Sequence, residues 1–96
     1  MIDSTTQEAR STVAEIETTR VRGDERLEYI LYREELRGRT SYSIQAIQYK
    51  RGEKICQATA CDVSSSPVFA LDLFRTVSNA FVEPYVLCDV IYDLLP

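Results

Sequence analysis

The sequence offers few side chains for acid-base, nucleophilic or metal chemistry. It contains no histidine, so the usual general base at neutral pH and the commonest metal ligand are both missing. Cys56, Cys61 and Cys88 form an odd count without a C-x-x-C pair, which predicts neither a cysteine-only zinc site nor a structural disulfide. We therefore predict no metal, no cofactor and no catalytic residue.

Asp89 and Asp93 are the one pair of carboxylates whose spacing suggests chemistry. On a helix, residues four apart share a face, so the two could act together as acid and base or hold a hard cation. A solvent-exposed polar stripe explains the same spacing more simply, because such stripes are routine on amphipathic helices. The chain also lacks the glycine-rich phosphate-binding motifs and the G-x-S-x-G motif of hydrolases. We expect a protein that is not an enzyme.

Positive charge is concentrated in the middle of the chain. Residues 20–54 contain nine Lys and Arg against six Asp and Glu, although the whole chain has a net charge of −4. In an antiparallel meander the first and third hairpin loops lie at the same end. This arrangement predicts a candidate anion patch made of Arg20, Arg22, Arg26, Lys50, Arg51 and Lys54. Acidic residues also occur in these loops. The net negative charge argues against general nucleic-acid binding.

Four segments are predicted to be strands. Residues 12–22 favour a strand through their β-branched residues, with a short helix capped by Thr12 and Glu15 as the alternative. A turn at residues 22–25 leads into a second strand over residues 26–36. Residues 40–50 and 54–63 alternate between apolar and polar positions, which is typical of paired strands. Matching their apolar faces through an odd-length loop near Gly52 predicts the pairs Tyr42–Ala60, Ile44–Ala58 and Ala46–Cys56.

The period changes to that of helices after residue 63. Ser66 is a good N-cap and Pro67 fits the first helical turn, and a polar stripe then lies opposite an apolar one as far as Asn79. Pro84 predicts the start of a second helix, in which Leu87, Ile91 and Leu94 are spaced for one apolar face. The polar stripe of this second helix is narrow. We expect the helix to be covered on more than one side and to pack near Ala46, Ala58 and Ala60.

Together these elements predict an α+β domain. Its antiparallel meander of three to four strands is followed by two C-terminal helices packed on one face. Residues 1–11 are predicted to be a flexible N-terminal segment, and residues 12–96 a single small domain. Met1 to Ser4 do not open a signal peptide, and no apolar run approaches the roughly 20 residues that cross a bilayer. We expect a cytoplasmic protein with no membrane association.

The second half of the chain contains Cys61-Asp62-Val63-Ser64 and a predicted terminal helix of the pattern Pro-x-x-Leu-x-Asp-Val-Ile-x-Asp. The positions concerned in this helix are Pro84, Leu87, Asp89, Val90, Ile91, Asp93 and Leu95. In these residues the chain resembles a family of short bacterial proteins of unknown function, found mainly in Gram-positive anaerobes. Val86 stands where the family tends to have His, and Tyr92 where it has Glu. The resemblance implies a small cytoplasmic domain and no known activity.

The excess of apolar residues in the last helix suggests a role in binding. We expect a non-enzymatic interaction or regulatory module that binds another protein or itself, with a homodimer as one form. The predicted interaction surface consists of Tyr85, Leu87, Val90, Ile91, Leu94 and Leu95. The alternative is a nucleic-acid-linked regulator or inhibitor. It would act through the basic hairpin end, or through an acidic helical end that imitates phosphate.

Overall fold

The computed structural model describes residues 10–95 and shows an antiparallel sheet with two helices on one face. The strands are β1 (Arg10–Arg22), β2 (Glu25–Leu36), β3 (Arg39–Lys50) and β4 (Glu53–Ser64), and the helices are α1 (Pro67–Asn79) and α2 (Pro84–Leu94). The strands lie in the order β1-β2-β3-β4, as a simple meander. The predicted α+β architecture and its order of elements are thus confirmed.

The N-terminal boundary differs from the prediction. β1 begins at Arg10, which pairs with Leu36, and Ser11 pairs with Glu35. These two residues belong to β1, so the sheet begins two residues before the predicted boundary of the domain. The ladder extends past the apolar pattern because backbone hydrogen bonding does not depend on side-chain polarity. The prediction for residues 1–9 lies outside the described residues.

Each turn of the meander contains a glycine with positive φ. Gly23 has φ +63° between β1 and β2, and Arg51 and Gly52 have φ +53° and +84° between β3 and β4. Positive φ at these positions matches the right-handed twist of paired strands, which is why two-residue hairpins favour it. All of the connections between the strands are therefore tight, and each strand is about as long as its neighbour.

The register between β3 and β4 is two residues away from the predicted one. Ile44 pairs with Ala60 and Ala46 with Ala58, and Gln48 with Cys56. The predicted faces are nevertheless correct, because a shift of two residues preserves the side of the sheet on which each side chain lies.

A short turn and a bulge produce this register. The loop contains two residues instead of an odd number, so Lys50 pairs with Glu53. The pairing then shifts by one residue between Gln48 and Tyr49, where β4 carries Ile55 as an additional residue. This bulge returns the apolar residues of the two strands to the same face.

One hydrophobic core lies between the sheet and the helices. Its completely buried side chains include Tyr29 of β2, Ile44 of β3, Val77 of α1, and Leu87 and Ile91 of α2. The remaining buried apolar members are Leu27, Leu31, Tyr42, Ala46, Ala60, Val63, Ala70, Leu73 and Phe74. These residues come from every element except β1, which contributes the partly buried Ile16 at the margin of the core.

The helices begin where the sequence signals predict. The Ser66 hydroxyl accepts a hydrogen bond from the Phe69 N–H at 3.3 Å, and Pro67 occupies the first turn of α1. Pro84 similarly opens α2. As expected from its small residues, β4 allows close approach of α2, where the Cys88 thiol lies 3.8 Å from the carbonyl oxygen of Thr59. In the described part of the chain, neither helix is long and apolar enough to span a membrane.

Candidate protein-interaction surface

The inner face of α2 is fixed by the core. Leu87 and Ile91 are four residues apart and both are completely buried, as expected for one stripe of a helix that packs on a sheet. Cys88, one residue after Leu87, points toward β4 through its contact with Thr59. This orientation leaves the opposite side of α2 to solvent.

The outer face of α2 carries two exposed aromatic rings. Tyr85 and Tyr92 are 74% and 59% exposed, and a spacing of seven residues places them on the same side, two turns apart. Asp89 lies between them and Asp93 follows, and both carboxylates are exposed. We call Tyr85, Asp89, Tyr92 and Asp93 the tyrosine face. It combines apolar surface with negative charge, and α2 carries no cationic residue.

The interaction surface predicted from the sequence is divided by the structure. Leu87 and Ile91 are in the core and cannot contact a partner, so their inclusion is wrong. Both the core and an interface select apolar residues, so composition could not separate them. Val90 and Leu95 are partly buried against the core. Tyr85 remains exposed, and Leu94 is 44% exposed at the end of the helix.

Tyr92 was not predicted as a site residue. The signal that identifies it is the i, i+7 spacing from Tyr85, which puts both rings on the face opposite Leu87. This spacing is informative only after the buried face of α2 is known.

The hairpin loops that were expected to form an anion patch do lie together. The backbone N–H of Arg51 donates to the carbonyl of Asp24 at 3.0 Å, which joins the first loop to the third. The sheet, however, separates the side chains. The ladder pairs Arg22 with Glu25 and Glu25 with Lys50 on the helix side, whereas Arg26 pairs with Tyr49 on the other side.

The remaining members are divided in the same way. Arg20 shares the helix side with Leu27, its partner on β2, and Lys54 shares the open side with Tyr49. Arg51 lies in the turn itself. The six residues therefore do not form one continuous patch, because alternation along a strand sends neighbours to opposite faces.

Carboxylates neutralise several of these cations. Arg22 forms ion pairs with Glu25 at 3.2 Å and with Glu83 at 3.4 Å. Arg51 pairs with Asp24 at 3.2 Å. Arg26 lies 3.5 Å from Glu28 and stacks 4.2 Å from the centre of the Tyr49 ring. Bound anions would have to compete with these contacts, so the hairpin end is a weak candidate for phosphate binding.

Two further observations bear on chemistry. Among residues 10–95, no three or more Cys, Asp or Glu side chains are grouped so that they could hold a metal ion. Cys56, Cys61 and Cys88 are free thiols, and Cys61 is exposed. Asp89 and Asp93 lie on the exposed face of α2, where the amphipathic pattern places them.

Comparisons with protein-family models, with curated proteins and with solved structures found no match to this chain. The resemblance to the family of short bacterial proteins thus stays a prediction, and the surface is interpreted from its own geometry.

Proposed function

We propose that this protein is a non-enzymatic interaction module that binds another protein through the tyrosine face of α2. The observation that carries the proposal is the exposure of Tyr85 and Tyr92 on one side of a short helix whose other side is core. Of the eight large apolar side chains that are exposed among the described residues, three belong to this 11-residue helix: Tyr85, Tyr92 and Leu94.

The chemistry of this face suits a protein partner. Tyrosine is enriched at interfaces because its ring supplies apolar contact area and its hydroxyl can still form hydrogen bonds. Asp89 and Asp93 add negative charge beside the rings. A complementary partner would present Lys or Arg together with apolar side chains, since guanidinium and ammonium groups bind both carboxylates and aromatic faces. The partner can be a different protein or a second copy of this chain.

The same two carboxylates support a second proposal. An exposed acidic helix face can imitate nucleic-acid phosphates and occupy the binding site of a nucleic-acid-binding enzyme. Asp89 and Asp93 would then be the contact residues and the tyrosines would flank them. The two proposals share a surface and differ in the class of partner, which the experiment below identifies.

The test compares wild type with the double variant Tyr85→Ser/Tyr92→Ser. Both residues are exposed, so the variant is expected to stay folded, with a change in unfolding free energy of about 0.5 kcal/mol or less per site. The matched control is Val68→Ser, which removes a 72% exposed apolar side chain from α1, outside the tyrosine face. Light scattering over a range of concentrations measures the solution mass, and affinity capture with mass spectrometry identifies partners.

A dimer or a captured complex should be lost in the double variant and kept in the control. Binding measured with the purified partner should then show that the double variant has an affinity at least about tenfold lower than wild type, since interface tyrosines are frequent hot spots. The proposal is refuted if the double variant and the control bind equally well. If the captured partner is a nucleic-acid-binding enzyme, unchanged binding by Asp89→Asn/Asp93→Asn would contradict the phosphate-imitation proposal.

A further inference from the structure

β1 forms one free edge of the sheet, and part of this edge is regular. The ladder between β1 and β2 is irregular between Ala14 and Ile16, but from Ile16 to Arg22 each residue has one partner on β2. Among residues 10–95, no strand pairs with the outer side of β1. Its unpaired backbone groups can therefore pair with another chain.

The opposite edge is less suited to pairing. β4 shows register irregularities in two places, one between Tyr42 and Ile44 of its partner strand and one between Gln48 and Tyr49. Asp62 of β4 also has φ +54°. Bulges of this kind twist an edge away from additional strands. Of the two edges, β1 offers the longer regular stretch.

A groove runs beside this edge on the helix side. It has a volume of about 330 Å³ and lies between β1 and α1. The lining residues are Ile16, Thr18 and Arg20 of β1 with Leu71, Phe74, Arg75, Ser78 and Asn79 of α1. Apolar side chains and two guanidinium groups thus line the groove, and none of its lining residues is acidic.

The two arginines are incompletely neutralised. Arg20 donates through Nη2 to the side-chain oxygen of Asn79, but its buried Nε has no hydrogen-bond acceptor among the described residues. Arg75 is exposed, and no carboxylate in the described part of the chain pairs with it. A buried donor without an acceptor is costly, so an incoming carboxylate would gain from satisfying it.

We propose that the edge of β1 from Ile16 to Arg22 binds an extended acidic segment of another protein as a fifth strand. The segment would lie about 4.8 Å from β1, which is the spacing of paired strands. Every second side chain would then enter the groove, where carboxylates meet Arg20 and Arg75 and apolar groups meet Ile16 and Leu71. Main-chain hydrogen bonds would give affinity, and the groove would give the preference for acidic sequences.

This site is separate from the tyrosine face. It uses β1 and α1, whereas the tyrosine face belongs to α2, so either proposal can fail without the other. The partners also differ in charge, because the groove favours an acidic segment and the tyrosine face a basic one.

The experiment uses a labelled heptapeptide of the sequence Val-Thr-Glu-Thr-Val-Thr-Glu, acetylated and amidated at its ends, in which Val and Glu lie on the same side of the strand and can both face the groove. Its binding to the full chain is measured by fluorescence anisotropy, and the binding position by the amide shifts of ¹⁵N-labelled protein. We expect shifts on β1 and α1, and no binding of the same peptide with Lys in place of Glu. The variant Arg20→Ala/Arg75→Ala should weaken binding about tenfold or more, because charge-assisted hydrogen bonds are lost.

Three controls keep the proposal falsifiable. Arg75→Ala alone removes an exposed side chain and should weaken binding in a folded protein, even if the double variant is unstable. Arg39→Ala removes an exposed arginine at the start of β3, away from the groove, and should leave affinity unchanged. A peptide N-methylated at every amide keeps its carboxylates but has no backbone donor on either edge, so it cannot pair as a strand. Equal binding of the N-methylated peptide, equal loss with Arg39→Ala, or no binding by wild type would each overturn the proposal.

Discussion

Raising the pH above about 10 is expected to destabilise this protein through Tyr29. The ring is completely buried, and its hydroxyl donates a hydrogen bond of 2.8 Å to the carbonyl oxygen of Val82, which precedes α2. Burial disfavours the charged phenolate and raises the pKa of Tyr29 to about 12 from its usual 10.0. The nearby cations Arg22 and Arg20 act in the opposite direction and only partly offset burial.

The sign of the effect follows from proton binding. Between about pH 10 and pH 12 the unfolded chain loses the Tyr29 proton and the folded chain keeps it, so the unfolded state binds fewer protons. The free energy of unfolding then falls as the pH rises. Below pH 10 both states keep the proton, and the stability contributed by protonated Tyr29 is fully present. At about 1.4 kcal/mol for each pH unit, the loss over this window is about 3 kcal/mol.

The assay compares guanidinium unfolding of wild type and Tyr29→Phe between pH 8 and pH 12. At pH 8 the variant should be less stable by about 1 to 3 kcal/mol, because the Val82 carbonyl loses its donor. The difference in stability between wild type and the variant should shrink or change sign near pH 12, because only wild type has a Tyr29 hydroxyl that ionises more easily in the unfolded state. Tyr85→Phe is the matched control at pH 8, since its exposed ring should change stability little. A difference between wild type and Tyr29→Phe that stays constant with pH would refute the reasoning.

Two more substitutions test the roles of the helices, each with a neighbouring control. Ile91→Asp should abolish folding, measured by circular dichroism, because it places an unpaired charge in the core; Asp93→Ala should change the free energy of unfolding by no more than about 0.5 kcal/mol. Equal tolerance of both would contradict the burial of α2. Ser66→Ala should cost about 1 kcal/mol in chemical denaturation because it removes the acceptor for the Phe69 N–H, and Ser65→Ala should be nearly neutral. A larger cost for Ser65→Ala would show that the cap is assigned to the wrong serine.

Local signals predicted most of the elements of this fold. Ser66 and Pro67 fixed the start of α1, and Pro84 the start of α2, because capping and ring geometry act within one turn of the chain. Gly23 and Gly52 likewise marked two of the turns. These signals concern a residue and its immediate neighbours, so they do not depend on what packs against them.

The register of the sheet was only partly predictable. Apolar alternation predicted correctly which residues of β3 and β4 face the core. It could not distinguish registers two residues apart, because both place the same faces together. The register depends on two features. The turn at Arg51 and Gly52 pairs Lys50 with Glu53, and the bulge at Ile55 then shifts the pairing by one residue.

The sequence by itself determined the class of the fold, the starts of the helices and the lack of histidine side chains, because each depends on composition or on short-range geometry. The tertiary structure alone decided which apolar residues form a surface. Leu87 and Tyr85 both belong to the apolar run of α2, yet one is core and the other is exposed, because the sheet covers only one side of the helix. The tertiary structure also places the basic residues of the hairpins on two different faces of the sheet. It brings β1 and α1 together around the groove that contains Arg20 and Arg75.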